Sequence, residues 1–497
     1  MGFFAGSILR HNSFLSMRIS PLLFATGLVV TSCTLQDHQT PDTSAVQLKT
    51  RSVNPSLVKT LPGFESLSVF PLISSDDKLD ESPNFVFGAQ PDGAGLLKNP
   101  NGEGFILINN HEIHQSVSRV YLDKTFKPVK GEYIVDYEGG QWRLCSATMT
   151  TPEEHGFGPL FLTAGESGAE SMVHAIDPLG SPDKKNKNRV LPALGKASME
   201  NAVPLPKDAF PGKTVIIIGE DDSNGQVLAY VSNSVGDLQN GKLYFLRRLN
   251  QNPVETDMVP GTVYDIEFVE VDNVAASTGA QIAAQSVEKK AVQFARVEDV
   301  DYRKGGGGER GREFYFTATG VSQADKKTPI TDKTMWGRVY KVNLNENDPL
   351  KGTLQVIADG SVDPGNNIVN PDNLCVTENY VYIQEDGDSY YADNKHDGRV
   401  WQYSMATKEL KAVLEMNHRR SDPTFNSKFN PANNQQLSSW EYGAMYDVSK
   451  LTGVPNTFLL NLHPHTWQSD SYANPDGSGL STNKEGGQVV ILQGLQK

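Results

Sequence analysis

The residues of this chain best equipped for chemistry are carboxylates at the ends of short apolar runs. The stretch Thr214–Asp222 reads TVIIIGEDD, so a run of strand-forming residues stops at Glu220, Asp221 and Asp222. The same syntax recurs. FILINNHE ends at His111 and Glu112, LFLTAGES carries Glu166, and YVYIQEDGD ends with Glu385, Asp386 and Asp388. VQFARVEDVDY holds Arg296, Glu298, Asp299 and Asp301, and TFLLNLHPHTW holds His463 and His465. One acidic end is an ordinary solvated turn. A series of them is a set of hard oxygen ligands, the kind that binds Ca²⁺. Like charges so close repel unless cations sit among them. Arg296 and Glu298 are two residues apart, so on a strand they share a face and reach one ligand. Cys145 adds a soft donor, either as a metal thiolate or paired with Cys375 in a disulfide.

These residues need strands that converge. Each run has strand length and strand composition, and 44 glycines suit many turns. In a β-propeller the inner strand of every blade lines one central channel, so acid-ended strands bring their charges to one axis. The expected fold is therefore all-β, a propeller with inserted loops and short helices. The 497 residues suffice for such a core without disulfides. A net charge of -14 argues against a nucleic-acid partner. GGGGERG lacks the Lys-Ser/Thr of a P-loop. No serine nucleophile has placed partners. Asp183–Arg189 and Arg303–Glu313 read as solvated loops.

The N-terminus reads as an address. From Met17, an arginine and an apolar run lead to small residues before Cys33, the layout of a secretory signal. Val30-Thr31-Ser32-Cys33 resembles a bacterial lipobox, in which the cysteine is lipidated. We therefore expect a lipoprotein signal peptide over 1–33, a polar tether over 34–58, and a single propeller domain over 59–497. The protein is expected to be exported, to the periplasm or the outer membrane. Its membrane contact is expected only through a lipid anchor at Cys33.

An ordered series of segments resembles the PhoX-type alkaline phosphatases. It includes PDGAG with LINNHE, RLCSATMTTPEE, ASMEN with TVIIIGEDD, FARVED, NPDNLCVTENYVYIQEDGD and SSWEYGAMYDVSKL with TFLLNLHPHTW. Together they span roughly residues 60–495. The resemblance implies six blades, an axial cluster of Ca²⁺ and Fe³⁺, and hydrolysis of phosphomonoesters by a monomer outside the cytoplasm. It implies Cys145 as an iron ligand, Glu200 as a metal ligand, Arg296 as a phosphate contact, and Glu298 as a metal ligand with a catalytic part. The other metal candidates are Glu112, Glu166, Glu220, Asp221, Asp222 and Glu385. Asp372 and Asn373 match a blade signature without an assigned role, and Glu441 is a further acidic candidate.

Physical logic runs beside the resemblance. A phosphomonoester dianion repels nucleophiles, and bound cations screen that charge. A planar guanidinium such as that of Arg296 grips phosphoryl oxygens. The chain also departs from the family pattern. Met199 stands where a histidine precedes Glu200, Gly165 replaces a glutamate, Val297 replaces a proline, and no lysine lies shortly before Cys145. Two alternatives follow. One is a non-catalytic, calcium-stabilised propeller lipoprotein that binds a ligand or partner. The other is a calcium-dependent phosphodiesterase or lactonase-like hydrolase.

Overall fold

The computed structural model describes residues 45–386 and 393–497. Six short strands line a central channel: Pro91–Lys98, Leu144–Thr150, Met199–Pro204, Val300–Tyr302, Pro371–Val376 and Glu441–Asp447. Each begins an antiparallel sheet that runs outward, and each packs beside the inner strand or sheet of the next blade until the sixth meets the first. This is a six-bladed β-propeller. The second strands are buried on both faces between blades, so they read as unbroken apolar runs; Thr214–Glu220 is the clearest. The outer edges of blades three and four join where Val263–Glu270 pairs with Asp348–Asp359.

The ring is closed by N-terminal strands. Ser68–Ser74 adds the outermost strand of the sixth blade by pairing with Gln488–Gln493. Val58–Thr60 adds to the fifth blade beside Leu410–Met416. Ser44–Lys497 forms one compact unit. Among the described residues no helix is long and apolar enough to cross a membrane.

Side chains on the axis tie blade to blade. Asp299 accepts the backbone N–H of Leu374 at 2.6 Å, and Asp301 accepts that of Val376 at 2.7 Å. These two acids on one face of the fourth blade therefore dock the inner strand of the fifth. Asn201 of the third blade donates to Asp299.

The expected tether over 34–58 needs correction. From residue 45 the segment is packed. Arg51 donates its backbone N–H to Pro71 at 2.8 Å, and Leu57 accepts from Asn417 at 2.8 Å. Leu57 is fully buried, and Val46 and Leu48 pack on the core beneath the first and sixth blades. The polar composition misled because Ser52 and Asn54 are interior, both hydrogen-bonded at 2.8 Å to Ser74. The signal segment 1–33 and its Cys33 lie outside the described residues. A chain begun at Pro62 loses this packing and the closing strand Val58–Thr60. It is expected to be less stable by at least about 3 kcal/mol. An unchanged guanidinium midpoint would contradict the packed role.

Candidate metal and anion site on the propeller axis

Every inner strand begins at the same end of the channel, and there the ladders are irregular. The first blade pairs Pro91 with His111 and then Ala94 with Asn109, so two residues face one. The second blade does the same between Leu144 and Ala147, the third between Met199 and Asn201, and the fifth between Pro371 and Leu374. The residues released from the ladder include Asp92, Cys145, Glu200 and Asp372. A bulge re-aims its side chain, and here each aims a ligand group at the axis. In the sixth blade Glu441 opens the strand and pairs with His463. In the fourth, Glu298 lies two residues before the strand.

Amides hold the bulges. Asn461 donates to the carbonyl of Asp92, and Asn110 to the carbonyl of Cys145, each crossing to the next blade. Glycine lets the strands close up. A Cβ at Gly93 would stand 2.5 Å from the Cys145 carbonyl oxygen, and one at Gly443 would stand 2.6 Å from that of Pro91.

A second tier comes from the residue just past five of the six second strands. Phe105–His111 is followed by Glu112, Leu160–Gly165 by Glu166, Thr214–Glu220 by Asp221, Glu313–Ala318 by Thr319, and Tyr380–Glu385 by Asp386. All five reach the axial group. Glu112, Asp92 and Cys145 place ligand atoms within 4.8 Å of one another. The Cys145 thiol lies 3.6 Å from Glu166. Thr319 donates to Glu298 at 2.7 Å. Arg296 is gripped by three blades: Asp221 at 2.8 Å, Asp386 at 3.4 Å, and Glu298. Arg143 bonds Glu112 at 2.9 Å and lies 4.0 Å from Glu166.

Acid outweighs base here. Asp92, Glu112, Cys145, Glu200, Glu298, Asp372 and Asp386 are all buried, and the guanidiniums among them are those of Arg143 and Arg296. Desolvation pushes Asp92 up to about 7, with Glu441 adding repulsion. Desolvation and Asp221 push Glu166 up to about 7. Glu112, Glu200, Glu298 and Asp372 are raised well above the carboxylate range, first by burial and then by neighbouring acids, among them Glu441, Asp92, Asp221 and Asp386. Burial followed by Glu200 raises the Cys145 thiol. A site that resists losing its own protons offers a strong field to cations. Oxygen donors in this number suit Ca²⁺, and the thiolate of Cys145 suits a softer or ferric ion.

The axial group thus contains Cys145, Glu200, Glu298, Arg296, Glu112, Glu166 and Asp221. Three expected ligands do not face it. Asp222 is exposed and accepts the N–H of Asn224 in its own turn. Glu220 is raised to about 8 by burial and then Asp222, and its charged neighbours are Asp222 and Asp221. Glu385 is spent inside the fifth blade, where it accepts the N–H of Val369 at 2.8 Å, of Arg399 at 2.7 Å and of the Trp401 indole at 2.7 Å. Strand alternation explains this: in Glu220-Asp221 and Glu385-Asp386 the second acid turns to the axis and the first turns away. Arg296 and Glu298 do meet, but not as alternate strand residues. They precede the strand, and Arg296 has a left-handed backbone with φ 65°. Cys145 and Cys375 are both free, so the disulfide alternative falls. Asp388 lies outside the described residues.

Asp92 and Arg143 were not read as site residues, whereas Asp386 was read among the acid-ended runs and Glu441 as a further acidic candidate. A signal for two of the inner-strand acids was present. Gln90-Pro91-Asp92 and Asn370-Pro371-Asp372 repeat one turn, with Gln90 at φ 42° and Asn370 at φ 49°. His111 is structural, bonded to Ser118 at 2.8 Å and packed between Phe87 and Tyr133.

Two expectations follow. Glu385→Ala strands three buried donors and is expected to cost about 3 kcal/mol while leaving calorimetric Ca²⁺ binding unchanged; lost binding with full stability would return Glu385 to the site. Second, the metal-free folded chain keeps protons on Asp92 and Glu166 that the unfolded chain releases near about pH 4. Their stabilising contribution is full below about pH 4 and is lost as pH rises through 7. In chelator, the unfolding free energy is expected to fall by about 2 kcal/mol or more between pH 5 and pH 8, lowering the urea midpoint, and Ca²⁺ should restore both. A midpoint that rises over that range contradicts the assignment.

No protein-family model and no curated protein matches the chain. Solved structures do. PhoX from Pseudomonas fluorescens, in complex with vanadate, a transition state analogue, superposes with a TM-score of 0.59 at 13% identity, over 90% of this chain and 98% of that one. An α-L-arabinofuranosidase from Fusarium graminearum gives a TM-score of 0.37 at 12% identity, over 84% and 98%. The PQQ-bound aldose sugar dehydrogenase from Streptomyces coelicolor gives 0.33 at 12% identity, over 86% and 98%. The likeness to PhoX is one of fold: this chain is a β-propeller similar in fold to that structure.

Proposed function

We propose that this protein is an exported, cation-dependent phosphomonoesterase acting on small organic phosphate esters. The observation that carries the reading is the axial group itself. Inner-strand bulges and second-strand ends deliver buried carboxylates, one thiol and two guanidiniums to a single end of the channel. Vanadate resembles a phosphoryl group in transfer, and a PhoX propeller binds it, which supports the same chemistry here.

The residues fit cations. Asp92, Glu112, Glu166, Glu200, Glu298 and Asp372 would hold Ca²⁺, and Cys145 with neighbouring carboxylates would hold Fe³⁺. Bound cations supply charge screening and an activated oxygen nucleophile. The chain's own residues do the rest. Arg296 grips the phosphoryl oxygens, and Asp221, Glu298 and Asp386 fix its fork. Arg143, two residues before Cys145 and with its side chain 41% exposed, stands at the rim where an incoming phosphate meets it first. It supplies the cation that the missing lysine left in doubt. Glu298 positions Arg296 and completes the cation set. Export as a lipoprotein held at Cys33, to the periplasm or outer membrane, belongs to this proposal, as does a monomer without a nucleic-acid partner.

The test is phosphate release from an aryl monophosphate by the chain from residue 34, with Ca²⁺ and then with EDTA. Turnover that Ca²⁺ supports and EDTA abolishes is expected. Cys145→Ala and Arg296→Ala should each lower kcat/KM by at least about 100-fold without unfolding, and Arg143→Ala should chiefly raise KM. Full activity in the first two variants would sink the proposal. Folded protein that holds Ca²⁺ but hydrolyses only diesters or lactones, or nothing, would leave one of the two alternatives in its place.

A further inference from the structure

The sixth blade presents a second donor set whose chemistry differs from the oxygen-rich axis. Glu441, His463 and His465 place ligand atoms within 4.8 Å of one another. Glu441 Oε2 lies 3.5 Å from His463 Nδ1 and 3.1 Å from His465 Nε2. Two ligand atoms each about 2.1 Å from one ion at tetrahedral angles stand about 3.4 Å apart. The spacing therefore suits donors that share an ion.

The outer contacts point the same way. His463 Nε2 lies 3.0 Å from the Pro91 carbonyl oxygen. A carbonyl only accepts, so Nε2 carries the hydrogen and donates it. That leaves the Nδ1 lone pair of the neutral ring facing Glu441. The His463 side chain is fully buried, and Nδ1 faces Glu441 at 3.5 Å without a close hydrogen bond. On the other ring, His465 Nδ1 lies 3.0 Å from Glu485 Oε2. Gln90 holds that same carboxylate oxygen from 2.9 Å. A metal-bound imidazole characteristically donates its second N–H to a carbonyl or a carboxylate, which fixes tautomer and ring orientation. Here one ring has each kind of partner, and the two remaining nitrogens converge on one carboxylate.

The framework is rigid. Glu441 and His463 are cross-strand partners, and Pro464 turns the chain so that the next imidazole points back.

We propose that Glu441, His463 Nδ1 and His465 Nε2 bind a first-row divalent transition cation, Zn²⁺ in type, in addition to any ions on the axis. Two imidazoles and a carboxylate suit zinc over calcium. The site stands apart from the phosphatase reading, because neither readout of its test is turnover.

The full chain, stripped of metal and returned to excess Ca²⁺, is loaded with one equivalent of Zn²⁺ and studied at the zinc absorption edge. The expected spectrum shows two imidazoles with N/O ligands near about 2.0–2.1 Å and no sulfur shell near about 2.3 Å. A sulfur shell would put the ion on Cys145 and overturn the proposal, as would failure of the intact protein to take up zinc. Calorimetry with Zn²⁺ should find affinity reduced at least about 10-fold in His465→Ala and in His463→Ala, and little changed in Cys145→Ser. Unchanged zinc affinity in folded histidine variants would show two imidazoliums neutralising Glu441 in place of a metal.

Discussion

Mutual repulsion among buried carboxylates is the constraint around which this propeller is organised. Burying one unpaired carboxylate is costly, and the cost grows when others stand beside it. Arg296 answers part of it by spanning Asp221, Glu298 and Asp386, and Arg143 answers part at the rim through Glu112. Asp92, Glu200 and Asp372 are raised in pKa first by burial and then by neighbouring acids. The field of such a group attracts cations.

The fold concentrates those charges by one local device repeated around the axis. A regular inner strand would alternate its side chains between its two faces. The bulges at Asp92, Cys145, Glu200 and Asp372 break that alternation where the strands enter the channel. Backbone groups freed by two of the bulges find amide partners on the neighbouring blade, from Asn461 and Asn110. Five of the six second strands then add one residue each just beyond their last rung. Blade closure and site assembly are therefore one event. Five of the six inner strands both dock on a neighbour and carry a candidate ligand group, Glu298 stands just before the fourth, and Asp299 and Asp301 seal the joint between the fourth and fifth blades.

Much of this was legible from residue types. Acid-ended apolar runs pointed to strands converging on an axis, and Cys145, Glu112, Glu166, Glu200, Asp221, Arg296 and Glu298 all belong to the axial group. The misreadings share a cause. Glu220 and Asp221, or Glu385 and Asp386, are adjacent acids of similar chemistry, and only the register of the strand decides which faces the channel. Asp92 was hidden because it opens a strand after a proline turn, with no apolar run before it to mark it. The 45–58 segment was hidden by its polarity, since a serine and an asparagine can be interior when they satisfy one another. Composition does not reveal which hydrogen bonds a chain will close.

The most direct test of the central claim is the metal content of the chain purified without chelators, measured by inductively coupled plasma mass spectrometry with the fold checked by circular dichroism. The account predicts more than one equivalent of cation per chain, calcium among them, with loss of cations from variants in which Asp92, Glu200 and Asp372 become amides. A folded protein that carries no stoichiometric cation at pH 8, and is no less stable there than at pH 5, would contradict it.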